Sequence, residues 1–328
     1  MKIWYIWSRE TSGNESESYE CSRLIEEGRK RGHQVSIYSP TQFKLMVGGE
    51  KSQSIFVDSD LQDLPDAVVS RMGSDTTYLG AAVLRYMQRN GVSVVNSPRS
   101  IERASDKLLT MQKLADKNIP IPKTIFSKCP VDSVLVAQQI GFPVVVKTLK
   151  GTVGVGVYLS ENEDSLRDLT ELLVHQGADK SPVIFQEFIE TSRGRDVRVF
   201  CVGGKILACM ERKSTDGGFK SNIGRGGVGK PVELTQEAKK IALDACNILE
   251  LEIAGVDMLY GKDGFKICEV NSAPDFNGLE TYCEVNAAEA IYEYIETRVE
   301  KDRKIKKAQK GGVVNGFFDR WIKGRHAA

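Results

Sequence analysis

Hydrophobic positions in the first hundred residues follow two rhythms. Short apolar runs at Ile3–Trp7, Val35–Tyr38, Asp66–Ser70 and Val92–Val95 have the length of buried strands. Between them lie helical spacings. Cys21, Leu24, Ile25 and Gly28 fall at i, i+3, i+4 and i+7, with Gly32 where a C-terminal cap belongs, and Thr77–Asn90 gives a second helix. A polar stretch holding Gly48-Gly49 is read as a loop. Strands alternating with helices predict a parallel sheet covered by helices. The Asn96-Ser97-Pro98 sequence marks the end of this unit.

The pattern then changes. A helical stretch over Ser105–Asn118 stops at Ile119-Pro120-Ile121-Pro122. Pro143–Leu149 reads as a strand entering Gly151-Thr152-Val153-Gly154-Val155-Gly156 and leaving through Val157–Leu159, which is a hairpin. The helix Ser165–Val174 and the strand Val183–Phe188 complete this part. Beyond it, Asp196–Val202, Gly203-Gly204 and Lys205–Lys213 form a second hairpin, because Gly-Gly supplies the positive φ angles of a two-residue turn. A Gly-rich polar segment, Ser214–Lys230, leads to an amphipathic helix opened by Thr235. Strands at Ile253–Tyr260 and Phe265–Asn271 follow, then the helix Ala287–Val299. The expected organisation is a first α/β domain over 1–96, a central lobe over 97–190, a second lobe over 191–300 and a basic tail over 301–328.

Composition removes several classes of function. The 328 residues are 41% hydrophobic and 27% charged, enough for a core and too apolar for wholesale disorder. Lys and Arg number 45 against 44 acidic residues, so bulk charge points to no polyanion. Charge is uneven, however: residues 301–328 hold nine basic residues against Asp302 and Asp319. Seven Cys without a Cys-x-x-Cys pair, and three His far apart, argue against disulfides or structural zinc and for a cytoplasmic setting. No apolar run approaches the roughly 18 residues of a membrane span.

Two glycine patterns fail as nucleotide motifs. Gly224–Lys230 has phosphate-loop spacing, but Pro231 stands where Ser or Thr must meet Mg²⁺, and no helix opens there. Gly151-x-x-Gly154-x-Gly156 lies between two strands, not at a strand-to-helix turn, and reads as a flap over a ligand. The more informative set is Asp257, Glu269 and Asn271. Glu269 and Asn271 are two apart on one strand and share a face, with Asp257 on the neighbouring strand. Oxygen donors so placed suit a hard divalent cation, although a solvated strand face has the same composition. Cations supply the counterpart. Lys147 ends a buried-looking strand at the flap, Lys107 opens a helix, and Arg212, Lys213, Lys220 and Arg225 crowd the Gly-rich segment.

Taken in order along the chain, these pieces resemble the ATP-grasp ligases, and within them the RimK-like amino-acid ligases. The resemblance is carried by Ser70-Arg71-Met72-Gly73, Asp106-Lys107-Leu108, Val145-Val146-Lys147, Gly151–Gly156, Gln186-Glu187-Phe188-Ile189 and Asp196-Val197-Arg198. It continues through Glu211-Arg212-Lys213, Ser221-Asn222-Ile223 with Arg225-Gly226-Gly227, Ala254-Gly255-Val256-Asp257 and Glu269-Val270-Asn271-Ser272. It runs from Met1 to about Arg298. It implies an ATP-grasp fold of mixed α/β and α+β class, with an N-terminal parallel α/β lobe and two α+β lobes clasping ATP.

By the same resemblance, Lys107 and Lys147 hold phosphates, Glu187 and Phe188 form the segment that reads adenine, and Asp196 lies near the ribose. Lys220, Ser221 and Asn222 line the nucleotide. Asp257, Glu269 and Asn271 bind two Mg²⁺, with Mn²⁺ as the alternative ion. Arg225, with Arg212 nearby, stabilises an acyl phosphate and the oxyanion that follows it. The implied reaction is ADP-forming amide synthesis, joining an amino acid such as glutamate to a carboxylate on a peptide, protein tail or metabolite. Other classes remain open: a nucleotide-binding scaffold on this fold, or a ligase of the D-alanine type. The chain departs from the family at Ser70, where the family has Pro before the Arg, and at Gly224, where a bulkier residue stands beside Arg225. Two further departures, Lys150 before the flap and Asp275-Phe276-Asn277 after the metal strand, bear on the substrate. The tail lies outside the resemblance. Gly311-Gly312 is expected to break it, and Phe317, Phe318, Trp321 and Ile322 share a helical face. It reads as a packing helix, a contact within a homo-oligomer, or a tether to an anionic partner.

Overall fold

The computed structural model describes residues 1–7, 19–48, 55–73, 76–148, 156–175, 182–221, 223 and 226–324, with the backbone alone over 310–324. The first unit comprises β1 (Lys2–Trp7), α1 (Tyr19–Lys30), β2 (Gln34–Tyr38), β3 (Phe43–Leu45), β4 (Ile55–Val57), β5 (Asp60–Gln62), β6 (Ala67–Arg71), α2 (Tyr78–Arg89) and β7 (Ser93–Val95). Its main sheet has the order β2-β1-β6-β7, all parallel. The expected strands and helices are present. Thr77 caps α2 by accepting from the Gly80 N–H, as a β-region Thr at a helix start should. The polar stretch read as a loop instead holds the small antiparallel sheet β3-β4-β5, whose strands are three residues each and too short to show a period.

The junction is a helix start. Ser97 caps and Pro98 opens α3 (Pro98–Ser105), and Asp106 both ends it and caps α4 (Lys107–Ala115). The helix expected over 105–118 is α4, shorter at both ends, and α3 before it is a helix that the reading of 96–98 as a boundary did not foresee. Asn96 fastens this junction to the far lobe. Its amide donates to the Ile253 and Ser272 carbonyls at 2.7 and 2.8 Å and accepts from the Glu252 and Ile253 N–H groups at 2.6 and 2.9 Å.

The second unit has β8 (Thr124–Ser127), α5 (Ser133–Gln139), β9 (Val144–Thr148), β10 (Val157–Ser160), α6 (Glu163–Leu173) and β11 (Val183–Glu187), in an antiparallel sheet ordered β10-β9-β11-β8. Apolar residues of β9 and β11 pack against α5 and α6 through Val136, Leu166 and Phe185. The third unit has β12 (Arg195–Val202), β13 (Lys205–Lys213), β14 (Val228–Pro231), α7 (Gln236–Leu249), β15 (Ile253–Gly261), β16 (Gly264–Asn271) and α8 (Asn277–Cys283). Its antiparallel sheet has the order β14-β13-β12-β15-β16. Gly203 and Gly204 turn β12 into β13 at φ of 59° and 77°, the left-handed pair that the turn requires. The Gly-rich segment ends in β14, a strand that its glycines conceal.

The chain closes with α9 (Ala287–Gly324), 38 residues long. Ala288, Ile291, Tyr292 and Ile295 bury one side of it against β1, β6 and α1 on the first unit and Phe200 on the third. Gly28 makes this approach feasible, since a Cβ there would lie 2.3 Å from Tyr292 Oη. The tail was expected to start a separate unit broken at Gly311-Gly312; the helix instead runs through both. Arg303 pairs with Asp66 at 2.6 Å, and Lys306 donates to the Gly91 carbonyl. Helix extension adds one hydrogen bond per residue once nucleated, so a buried first half carries a polar second half, and each Gly weakens it by only about 1 kcal/mol. The aromatic face expected at Phe317–Ile322 lies outside the described side chains. No helix among the described residues is long and apolar enough to cross a membrane.

Candidate active site

The antiparallel sheet of the third unit carries a row of alternating charge. Asp257 on β15 is cross-strand to Arg198 on β12 and, on its other side, to Glu269 on β16. Asp196 on β12 is cross-strand to Arg212 on β13. Arg212 grips Asp196 with both prongs of its guanidinium, at 2.7 and 2.6 Å, and reaches Asp257 Oδ2 at 3.0 Å. Arg198 holds both Asp257 oxygens, Nη2 to Oδ2 at 2.8 Å. Burial opposes charge on Asp257, yet the Arg198 and Arg212 cations outweigh it and hold the carboxyl below its ordinary value. Burial likewise works against Arg212, but Asp257 and Asp196 push its pKa upward.

Glu269 differs from its neighbour. Like charges directly opposite on antiparallel strands repel, and the two arginines neutralise Asp257 alone. Among the described residues the Glu269 side chain takes part in no ion pair or hydrogen bond. Its side chain lines the cleft with that of Asn271, two residues along the same strand face. This is an oxygen-only donor pair with a carboxylate short of a cation, beside a carboxylate already held in its charged form. Such a set fits a hard divalent ion that keeps several waters or substrate oxygens. Among the described residues no group of three or more His, Cys, Asp or Glu is placed to hold a metal ion, so an ion at this set would need Asn271 and oxygens from outside the chain.

The opposite wall comes from the second unit. Lys147, on β9, donates to Gln186 Oε1 at 2.7 Å and reaches Cys268 Sγ on β16 at 3.4 Å, so this lysine spans the gap between the two sheets. Burial pushes the Cys268 thiol up, against the pull of Lys147. Glu187 ends β11. Burial opposes its charge, but Lys266 at 2.7 Å and the Lys123 N–H at 3.0 Å keep its pKa low. Its carboxylate is thus spent on structure and only its position borders the cleft. Phe188 meets Phe219 edge-on at 6.5 Å, with the Arg193 guanidinium over its ring at 4.8 Å, and the two rings form an apolar side to an otherwise polar space. Lys107 opens α4 beside Asp106, whose carboxylate caps the helix through the Leu109 N–H at 2.9 Å and offsets the lysine's unfavourable place at a helix N-terminus.

These walls enclose a cavity of about 740 Å³. It is lined by Lys107, Lys147, Glu187, Phe188, Asp196, Arg212, Lys220, Ser221, Asp257, Glu269 and Asn271. Asn222 and Arg225 lie outside the described residues, as does the flap from 149 to 155. Arg212, expected to face a transferred phosphate, is buried and saturated by Asp196 and Asp257. Asp196, expected near a ribose, is committed to Arg212. The sequence reading missed Arg198 as the residue that fixes Asp257, although Asp196 and Arg198 alternate on one strand face; it also missed Gln186, Cys268 and the inward turn of Arg71.

A RimK-like ATP-grasp domain model matches residues 104–295, and a RimK PreATP-grasp domain model matches 6–101. The chain belongs to the RimK-like ATP-grasp family. A protein of Aliivibrio fischeri named probable alpha-L-glutamate ligase is 39% identical over 279 residues, covering 85% of this chain and 91% of its own. A namesake from Thioalkalivibrio sulfidiphilus is 35% identical over 286 residues, 87% and 94% of the two chains. Among solved structures, a RimK domain ATP-grasp protein of Sphaerobacter thermophilus aligns with a TM-score of 0.69 at 21% identity, over 90% of this chain and 99% of its own. The ATP-grasp ligase PsnB, complexed with minimal precursor, Mg and ADP, aligns at 0.68 and 21%, over 91% and 98%. The D-alanine–D-alanine ligase of Bacillus anthracis aligns at 0.62 and 18%, over 94% and 99%, a likeness of fold alone. This RimK-like chain is an ATP-grasp ligase of the carboxylate–amine class, with the expected mixture of one parallel and several antiparallel sheets.

Proposed function

We propose that this RimK-like chain is a Mg-ATP-dependent, ADP-forming ligase that adds an amino acid, glutamate first among the candidates, to a carboxylate of a peptide, protein tail or metabolite. The observation that carries it is Glu269, a cleft carboxylate with no ion pair among the described residues, directly opposite the charge-fixed Asp257 and across the cavity from Lys147. The glutamate assignment leans on the relatives named alpha-L-glutamate ligase, and the nucleotide and ion on the ligase described with ADP and Mg.

In this reading Lys107 and Lys147 bind phosphate oxygens as point charges, while Phe188 and Phe219 offer an apolar face to the base. Glu187 serves through the backbone around it. Lys220, Ser221 and Asn222 border the nucleotide. Glu269 and Asn271, with Asp257 beside them, hold Mg²⁺, which supplies charge neutralisation for the transferred phosphoryl group. Arg198 and Arg212 keep Asp257 ionised and oriented; Arg212 therefore acts through Asp196 and Asp257. The substrate carboxylate attacks the γ-phosphate to give an acyl phosphate and ADP. An amine then adds to the acyl carbon, and phosphate leaves. Arg225, from the Gly-rich segment, stabilises the oxyanion. No side-chain nucleophile is required, so the protein's work is positioning and charge.

The test is Mg-dependent ADP release by the purified chain across amino acids and carboxylate acceptors, including C-terminal peptides, with mass spectrometry of products. ADP coupled to a new amide establishes the reading. Nucleotide binding with no release in any pool removes it in favour of a recognition role.

A further inference from the structure

Arg71 ends the parallel strand β6, level with Trp7 at the end of β1, on the rim where open parallel sheets bind ligands. It lines the same cavity as Glu269 and Asn271. It is only 6% exposed, yet its donors are poorly used. Nη2 donates to the Pro274 carbonyl at 3.0 Å, and the Asp275 carboxylate stands off at 3.9 Å. Among the described residues the buried Nε has no partner and Nη1 makes no hydrogen bond. A guanidinium has five N–H donors, so among the described residues this one sits mostly unsatisfied. Trp7 and Phe276 flank it, their ring centroids 5.4 and 5.7 Å from Cζ, and limit how the planar group can turn.

The segment that presents Pro274 and Asp275 leads directly from the acidic strand and is bolted to the first unit. Ser272 donates to the Met72 carbonyl at 3.4 Å, and Glu20 accepts from the Phe276 and Asn277 N–H groups at 3.2 Å each. The Pro274 ring packs over Gly255, where Arg198, the residue that holds Asp257, also lies. Arg71 is thus tied to the reacting end of the cleft by short, fixed contacts. Beside it Asp275 keeps a mostly exposed carboxylate, 70% accessible. A fixed, unsatisfied cation with an open anion at 3.9 Å matches the two charged ends of a free α-amino acid.

We propose that Arg71 and Asp275 form the subsite for the incoming amino acid, Arg71 taking its α-carboxylate and Asp275 accepting from its amino group. This rests on the ligase reading above and names the amine-side subsite within it. Arg71 is then a specificity residue: it separates free amino acids from amines that lack a neighbouring carboxylate. Charge-assisted bonds in such a setting correspond to about 10- to 100-fold in apparent affinity.

The experiment uses the full chain with Mg-ATP and whichever acceptor supports amide formation. L-Glutamate is compared with L-isoglutamine, its α-carboxamide, and L-glutamine, its γ-carboxamide. The expected wild-type result is a KM for isoglutamine about 10- to 100-fold above that for glutamate. In Arg71→Ala that preference collapses, with the KM for ATP unchanged, and Arg71→Lys falls between. Equal use of glutamate and isoglutamine by the wild-type enzyme overturns the proposal even if Arg71→Ala does not fold. An unchanged preference in a folded Arg71→Ala also overturns it. Absence of amide product with every substrate instead removes the ligase reading itself, and with it this subsite.

Discussion

Two buried arginines line one cleft, and their surroundings could hardly differ more. Arg212 lies inside an antiparallel sheet where Asp196 and Asp257 occupy its guanidinium. Arg71 stands at the end of a parallel sheet between two aromatic rings, hydrogen-bonded among the described residues to one carbonyl and 3.9 Å from the exposed Asp275 carboxylate. The antiparallel ladder places residues of neighbouring strands directly opposite, so acid and base can be matched within the sheet. The end of a parallel strand faces a crevice with no such neighbour. A saturated cation fixes other side chains; an unsatisfied one is poised for a ligand.

The sharpest test of the acidic sheet is Glu269→Gln. Loss of this carboxylate should lower turnover about a thousandfold or more, since a metal-held phosphoryl group depends on several kcal/mol of charge stabilisation. Thermal unfolding should change little, because Glu269 supports no ion pair among the described residues. Retained turnover would remove the metal assignment.

Stability separates the two arginines next. Arg212→Ala strands the Asp196 carboxylate and leaves Asp257 to Arg198 alone, and should cost about 3–5 kcal/mol in urea unfolding, as breaking a buried ion pair does. Arg71→Ala leaves no buried carboxylate behind and should cost clearly less. Similar losses would erase the distinction drawn here.

Acid provides a smaller effect. Asp257, Glu187 and Glu211 all have folded pKa values held below their ordinary 3.8, 4.5 and 4.5. A depressed folded pKa contributes stability that is present above the unfolded value and lost as pH falls through the folded one. Unfolding free energy should therefore be flat near neutrality and decline below about pH 4.5. Asp257→Asn should make the decline shallower; an unchanged slope would mean that the arginine pairs do not depress this pKa.

The smallest change belongs to the helix that continues past the core. Arg303→Ala removes a surface ion pair with Asp66, and a shift of about 0–1 kcal/mol is expected in urea unfolding. A larger one would mark the basic stretch as part of the folded unit's foundation.

Much of this architecture could be read from the chain. Continuous apolar runs announced β1, β6 and β9, and Gly203-Gly204 announced the β12–β13 turn. Period two placed Glu269 and Asn271 on one face. These are local rules: side-chain direction and turn chirality follow from the backbone within a few residues. The three-residue strands β3 to β5 were illegible because no period can develop over so few positions. The start of α3 was marked by Ser97-Pro98 but read only as a boundary, because eight residues show little period, and the long α9 was obscured by glycines that a buried first half can carry.

What the sequence determined alone was the set of elements and the chemical types available to the cleft: lysines, carboxylates, an amide and a glycine-rich segment. Which charge neutralises which was settled only in three dimensions. Asp257 is 59 residues from Arg198 and 45 from Arg212 along the chain, and it becomes their partner because strand order sets β12 between β13 and β15. Arg71 and Pro274 are 203 residues apart. Their meeting depends on how the first unit seats against the third, through contacts that no local spacing encodes.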